Sequence, residues 1–136
     1  MANTNMTATA MTEALGRFLD VDVSRYKLIS TNLANIDTPG YRTRDLDFRA
    51  ELERSAAEDS GLGGAQLASA SNPLAHEPIA HQVRGLMERP DGNNVSVERE
   101  SLLLAEAQMK FNLGVTLLKD QFHTIAMAIN SGGTTS

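Results

Sequence analysis

The 136-residue chain has a formal charge of −5 and a pI near 5.1, with 41% hydrophobic residues, 4% aromatics and neither Trp nor Cys. That balance offers no basic stripe for phosphate contacts, so nucleic acid is not an expected partner, and disulfides and thiolate metal sites are excluded. With so few large rings, burial has to come from Leu, Ile, Val, Met and Ala, which argues against a self-sufficient globule.

The opening MANTNMTATAMTEALGRFL lacks the basic region and unbroken apolar stretch of a cleaved secretory signal. Nor does any segment reach the roughly 20 apolar residues that span a bilayer. The expectation on these grounds is a soluble, cytoplasmic protein, unless export uses an uncleaved signal.

The first predicted element is an amphipathic helix over about 9–37. Leu15, Ile29 and Ile36 fall on one seven-residue repeat, Leu19, Tyr26 and Leu33 on a second, and Met11 and Phe18 on a third. Asp22 interrupts the first repeat, so a bend or a polar contact is expected there.

Residues 38–94 read as a turn motif followed by an irregular, partly flexible connector. Ser55 to Pro73 is rich in Ser, Ala and Gly and nearly devoid of large apolar groups, and it is expected to be a flexible loop. Leu46 and Phe48 on one side, with Ile79, Val83, Leu86 and Met87 on the other, suffice for a small packed patch or a short strand. Asp91-Gly-Asn-Asn94 is a strong turn signal.

The second long helix is predicted over about 95–131. Val97, Leu104, Phe111, Leu118 and Ile125 recur every seven residues, and Ser101, Gln108, Val115, Phe122 and Ile129 form the partner series. Ser96 is the expected N-cap, Glu98 and Glu100 suit the dipole of the first turn, and Ser131-Gly132-Gly133 is the expected stop. Such a helix would be roughly 50 Å long.

The expected fold is therefore mainly α in a single domain, 1–136. Its terminal helices pair as an antiparallel coiled-coil-like hairpin, with a packing seam of Leu15, Ile29, Leu33 and Ile36 against Leu104, Phe111, Val115, Leu118, Phe122, Ile125 and Ile129. A heptad stripe is ordinarily an internal core. Here the connector offers too little apolar surface to cover both helices, while each ordered residue costs roughly 1–2 kcal/mol of backbone entropy. The pair is expected to finish its burial against other chains.

Catalytic and metal signals are weak. In HEPIAH, His76 and His81 are five apart with Pro78 between them, which defeats the i, i+4 helix that would aim both rings at one zinc; a metal-dependent hydrolase on His76, Glu77 and His81 is the enzyme alternative. His123 has no ligand partner one turn away. Gly61 to Gly64 is followed by neither Lys-Ser/Thr nor a strand-to-helix opening, so it reads as linker. Glu106 and Lys110 form an ordinary i, i+4 pair. No catalytic residue, cofactor or small-molecule substrate is expected.

The most specific string runs from Ser30 to Arg42, STNLANIDTPGYR. Pro39 fixes its own φ and pushes Thr38 out of the helical region, so the helix should close near Asp37. Gly40 supplies the positive φ of a type II corner, and Tyr41 is thrown back toward the helix with its hydroxyl free to bond. Asn32 and Asn35 share a face, where their amides can both donate and accept.

With Asn32, Ala34, Asn35, Thr38, Pro39, Gly40 and Tyr41 in place, this string resembles the N-terminal signature of bacterial flagellar axial proteins, the rod and hook subunits. Arg42 to Phe48 and Asp91 to Glu100 are similar to the short subunits of the proximal rod, although Ser96 stands where those usually have an acidic cap. Residues 50 to 88 carry little of the resemblance.

The resemblance implies a structural, non-catalytic subunit of the basal-body proximal rod. Its terminal helices would polymerise around the export channel and pass torque from the membrane ring to the distal rod. Implied partners are copies of itself, other rod proteins, the membrane-ring protein and rod-base adaptor, and the flagellar type III export apparatus. The implied address is the periplasmic rod, reached without a cleaved signal, and the implied role of the Asn-rich corner is to bond to a neighbouring subunit. Another short rod subunit is the alternative within the family. From a different class, a cytoplasmic coiled-coil adaptor would show the same heptads.

Overall fold

The computed structural model describes residues 2–59 and 77–132. In chain order it contains helix α1 (Ala2–Ala34), strand β1 (Arg44–Leu46), helix α2 (Phe48–Asp59), strand β2 (Ala80–Gln82) and helix α3 (Val97–Gly132). The chain is mainly helical, and α1 and α3 pack along one another in opposite directions. Contacts from one end of the pair to the other show this: Gln121 Nε2 donates to the Ala8 carbonyl at 3.5 Å, Arg25 lies 3.6 Å from Glu106, and Asn32 donates to Glu100 at 2.9 Å.

α1 begins before Thr9 and closes at Ala34, three residues short of the expected Asp37. Residues 35–37 form turns instead, with Asn35 N–H donating to both Thr31 and Asn32 carbonyls and Thr38 N–H to the Asn35 carbonyl. The helix unwinds before the proline because Asn35 offers local bonds that compete with helix continuation.

The connector is less irregular than expected. α2 occupies Phe48–Asp59, so Ser55 to Asp59 are helical and not loop, while residues 60–73 of the expected loop lie outside the described residues. Asp47 caps α2 by accepting from Ala50 N–H at 3.0 Å; an Arg49–Glu53 pair lies on its surface and an Arg54–Glu51 pair on its inner side. This helix has no apolar stripe for periodicity to detect; its signals were the Asp47 cap and the charge pairs. Phe48 seats it against α1, with its ring edge-on to Phe18 at 5.2 Å between centroids and Lys110 of α3 at 4.4 Å above it.

β1 and β2 pair antiparallel with Arg44 opposite Gln82, Asp45 opposite His81 and Leu46 opposite Ala80. Glu51 of α2, buried, accepts from Ile79 N–H at 3.2 Å and so ties α2 to the strand pair.

The interior is unusual for its polarity. Among the described residues, five apolar side chains are buried (Val21, Ile29, Leu46, Val95 and Ala107) against eight polar or charged ones. Hydrogen bonds, more than oily contact, therefore define the inside of the single subunit.

α3 is rolled relative to the expected seam. The residues it buries are Glu100, Ala107 and Gly114, one position before the expected Ser101, Gln108 and Val115 series. Phe111, Phe122 and Ile129 are correspondingly 41%, 52% and 69% exposed, so they are not part of a closed intrachain seam. The cause is steric. A Cβ at Gly114 would stand 2.7 Å from Leu19 Cδ2 and 3.3 Å from Phe18 Cδ1. Only the missing Cβ of Gly114 lets α1 approach this closely.

Candidate functional site

The corner after α1 and the turn before α3, far apart in sequence, form one hydrogen-bonded unit. Asn32 lies at its centre, with no exposed surface. Its Nδ2 donates to the Arg44 carbonyl at 2.7 Å and to Glu100 Oε2 at 2.9 Å, and its Oδ1 accepts from Tyr41 Oη and Arg44 N–H, each at 3.1 Å. Both donors and both acceptor positions of the amide are used within the chain. Burial lifts the Tyr41 phenol above its usual range, with Glu100 adding to the shift and Arg44 opposing it.

Asn93 serves the frayed end of α1. Its Nδ2 is shared among the carbonyls of Asn35, Ile36 and Thr38 at 2.9, 3.1 and 2.9 Å, while its Oδ1 accepts from Val95 N–H at 2.8 Å. Arg89 adds a further donor to the Ile36 carbonyl. α1 has no basic residue in its last turn, so these groups from the turn before α3 hold the carbonyls just past its end. Asn94 accepts from Thr43 N–H at 2.7 Å, and Gly40 N–H donates to the Asp91 carbonyl at 2.8 Å. Gly40 (φ 73°) and Gly92 (φ 82°) meet face to face: a Cβ on Gly92 would lie 3.4 Å from Gly40 Cα.

An ion-pair relay continues from this unit. Arg25 forks onto Asp45 through Nε at 3.0 Å and Nη2 at 3.1 Å, Arg99 Nη2 meets Asp45 Oδ2 at 3.1 Å, and Arg99 Nη1 donates to Glu100. Burial alone would raise the Asp45 carboxyl, but the Arg25 hydrogen bonds and charge, the Leu46 N–H and Arg99 bring it below the usual carboxylate range. α1, β1 and α3 are thus locked through side chains whose partners are all supplied by the chain.

Between α1 and α3, Asp22, Val23, Tyr26, Ala107, Gln108, Phe111 and Asn112 line a half-open cavity of about 420 Å³. Asp22 is 2% exposed, and its Oδ1 has no hydrogen-bond partner. Burial pushes its carboxyl up, against the pull of Lys110 and Arg25 and with a smaller push from Glu106. An orphaned buried acceptor of this kind costs about 1–3 kcal/mol.

Among known proteins, no family model matches the chain. It is 32% identical over 120 residues to the flagellar basal body rod protein FlgB of Proteus mirabilis, covering 79% of this chain and 85% of the relative. The chain belongs to the FlgB family of flagellar basal body rod proteins. FlgB of Salmonella typhimurium is 29% identical over 123 residues (84% of this chain, 88% of the relative), and FlgB of Borreliella burgdorferi is 29% identical over 125 residues (83% and 90%).

In this FlgB-family chain the corner residues divide into two groups. Asn32 is consumed internally, which corrects the expectation that its amide bonds to a neighbour; the half-buried Tyr41 bonds to it. Asn35 is half-buried, its amide donating to the Thr31 carbonyl and accepting from Thr38 Oγ1, while Ala34, Thr38, Pro39 and Gly40 are exposed. Of the seam residues, Ile29 is buried, and Leu15, Leu33, Ile36, Leu104, Val115, Leu118 and Ile125 are half-buried. His76 lies outside the described residues; Glu77 precedes β2 and His81 sits exposed within it, and His123 is exposed on α3.

Sequence reasoning missed Asn93, Glu100, Asp45, Arg25 and Arg99 as parts of the corner in this FlgB-family fold. Asn93 and Asn94 were legible only as turn formers and Glu100 only as a helix-dipole residue. Their spacing in sequence has no period that would join them to Asn32. Among the described residues, no helix is long and apolar enough to cross a membrane.

Proposed function

We propose that the chain is a structural subunit of the proximal rod, acting by polymerisation and not by catalysis. Copies would stack by helix packing around the export channel and carry torque from the membrane ring to the distal rod. The observation that carries this reading is the two-sidedness of α3. Its buried line of Glu100, Ala107 and Gly114 meets the rest of the subunit, yet Leu102, Met109, Leu113 and Met127 project from the opposite side and are 55–73% exposed, Met109 the most so. A helix apolar on opposed faces is stable in water only when both are covered.

Other copies of the chain, neighbouring rod proteins, the membrane-ring protein and the rod-base adaptor would supply that cover. Delivery would be through the flagellar type III export apparatus, without a cleaved signal, to the periplasmic rod. The exposed residues of the corner, Ala34, Thr38, Pro39 and Gly40, with the half-buried Asn35, would face a neighbour once Asn32 has fixed their shape. A Met109→Asp variant tests the reading. It should keep the helical circular dichroism of the dilute wild-type chain and be absent from purified basal bodies; incorporation at the wild-type level would overturn it.

A further inference from the structure

We propose that the cavity between α1 and α3 is a socket for a basic side chain of a second copy of this chain. The inference rests on the polymerisation reading above. The cavity of about 420 Å³ is large enough for the end of one Lys or Arg side chain, and Asp22 in its lining is almost wholly buried with an unpartnered Oδ1. A carboxylate in that position lacks a donor.

The two nearby cations of the same chain are committed elsewhere. Lys110 Nζ bonds to Glu106 Oε1 at 2.7 Å and sits over the Phe48 ring, and Arg25 is forked onto Asp45. The rest of the lining suits a cationic guest: Tyr26 and Phe111 offer ring faces for the stem and charge, and the Gln108 and Asn112 amides offer further acceptors.

Two features favour a second copy as the source. Phe111, at the cavity's edge, leads along α3 into the exposed Phe122 and Ile129, so the socket is continuous with an uncovered apolar row. The same chain also presents the complementary charge: Lys27, Arg84 and Lys119 are exposed on its surface. A helical or ring contact between unlike surfaces of identical subunits would bring a cation of one copy to the acid of the next.

The test uses the purified full chain, mixed from unlabelled and ¹⁵N-labelled preparations, with p-benzoylphenylalanine at position 26 on the cavity rim. Photolysis should give light–heavy cross-links to a peptide containing Lys27, Arg84 or Lys119. In parallel, Asp22→Asn, which keeps the side chain's shape, should weaken self-association by at least about tenfold in sedimentation and reduce its salt dependence, with unchanged helicity of the dilute chain. Cross-links confined to single copies or reaching a peptide without these cations would overturn the socket, as would an Asp22→Asn variant that associates like wild type. If wild type assembles and Met109→Asp does not, while Asp22→Asn behaves as wild type, only the socket falls. A wild-type chain that stays monomeric at every concentration overturns the polymerisation reading and the socket together.

Discussion

Asn32 donates to Glu100 across 68 positions of sequence, at 2.9 Å and out of contact with solvent. That bond joins the last turns of α1 to the first turn of α3, and the same amide holds Tyr41 and both backbone groups of Arg44. The Asn-rich motif thereby shapes the subunit before it can present anything to a neighbour.

Asn32→Ala takes the partner from Glu100 Oε2, the Tyr41 hydroxyl and the Arg44 peptide groups together, while Glu100 Oε1 keeps Arg99, and it is expected to cost about 3 kcal/mol in urea unfolding of the purified chain. Asn35→Ala removes only local bonds in a half-buried place and should cost under about 1 kcal/mol. Equal costs at the two positions would contradict the division between an internal latch and an exposed corner.

Asn93→Ala removes the one side-chain donor shared by the Asn35, Ile36 and Thr38 carbonyls, leaving Ile36 to Arg89 and the other two to the backbone N–H groups of Thr38 and Tyr41, and it takes away the acceptor of Val95 N–H. Amide hydrogen exchange across residues 35–41 should accelerate more than exchange in the middle of α3, and stability should fall by about 2 kcal/mol. Protection left unchanged over 35–41 would show that Asn93 is a bystander to the turn.

Gly114 tests the closeness of the helix pair. Gly114→Val would press a branched side chain on Leu19 and Phe18 and should destabilise by about 2–3 kcal/mol. Gly114→Ala sets a gain of up to about 1 kcal/mol in helix propensity against the 2.7 Å approach to Leu19 and should still lower the melting temperature. A higher melting temperature for the alanine variant would mean that the helices stand further apart.

Asp22 and Asp45 give opposite pH responses. Asp45 has its carboxyl lowered in the folded chain, so the unfolded chain binds the proton more tightly; its stabilisation is present above the ordinary Asp range near about 3.9 and is lost as pH falls through the lowered value. Asp22 is raised, so the folded chain holds the proton more tightly and stability falls as pH rises through that window. Denaturation of Asp45→Asn should therefore lose part of the acid-side slope, and Asp22→Asn should be more stable than wild type at pH 7 with the difference vanishing in acid. Reversed or identical slopes in the two variants would refute these assignments.

Several elements were legible in the residues because their signals are local. Pro39 and Gly40 dictate a corner after α1, and the observed φ of 73° at Gly40 is the positive value a type II turn needs. Ser96 caps α3, accepting from Arg99 N–H at 3.3 Å, and the heptads of α3 require a long helix. α2 escaped because its residues have helical propensity and charge pairing but no apolar period.

What the sequence determined by itself is thus the presence of two long amphipathic helices and the rigid turn between helix and connector, all products of backbone sterics and short-range periodicity, while the contacts of Asn32 with Glu100 and Gln121 with Ala8 set the direction in which the helices pair. Only the tertiary structure decided which side of α3 turns inward, where the Asn32 amide finds its partners and that Asp91 to Asn94 docks on the corner. A heptad repeat says that a helix has a sticky stripe but not which neighbouring small residue, here Gly114, permits the closest approach. Likewise an asparagine can bond in every direction, and only the folded geometry selects one.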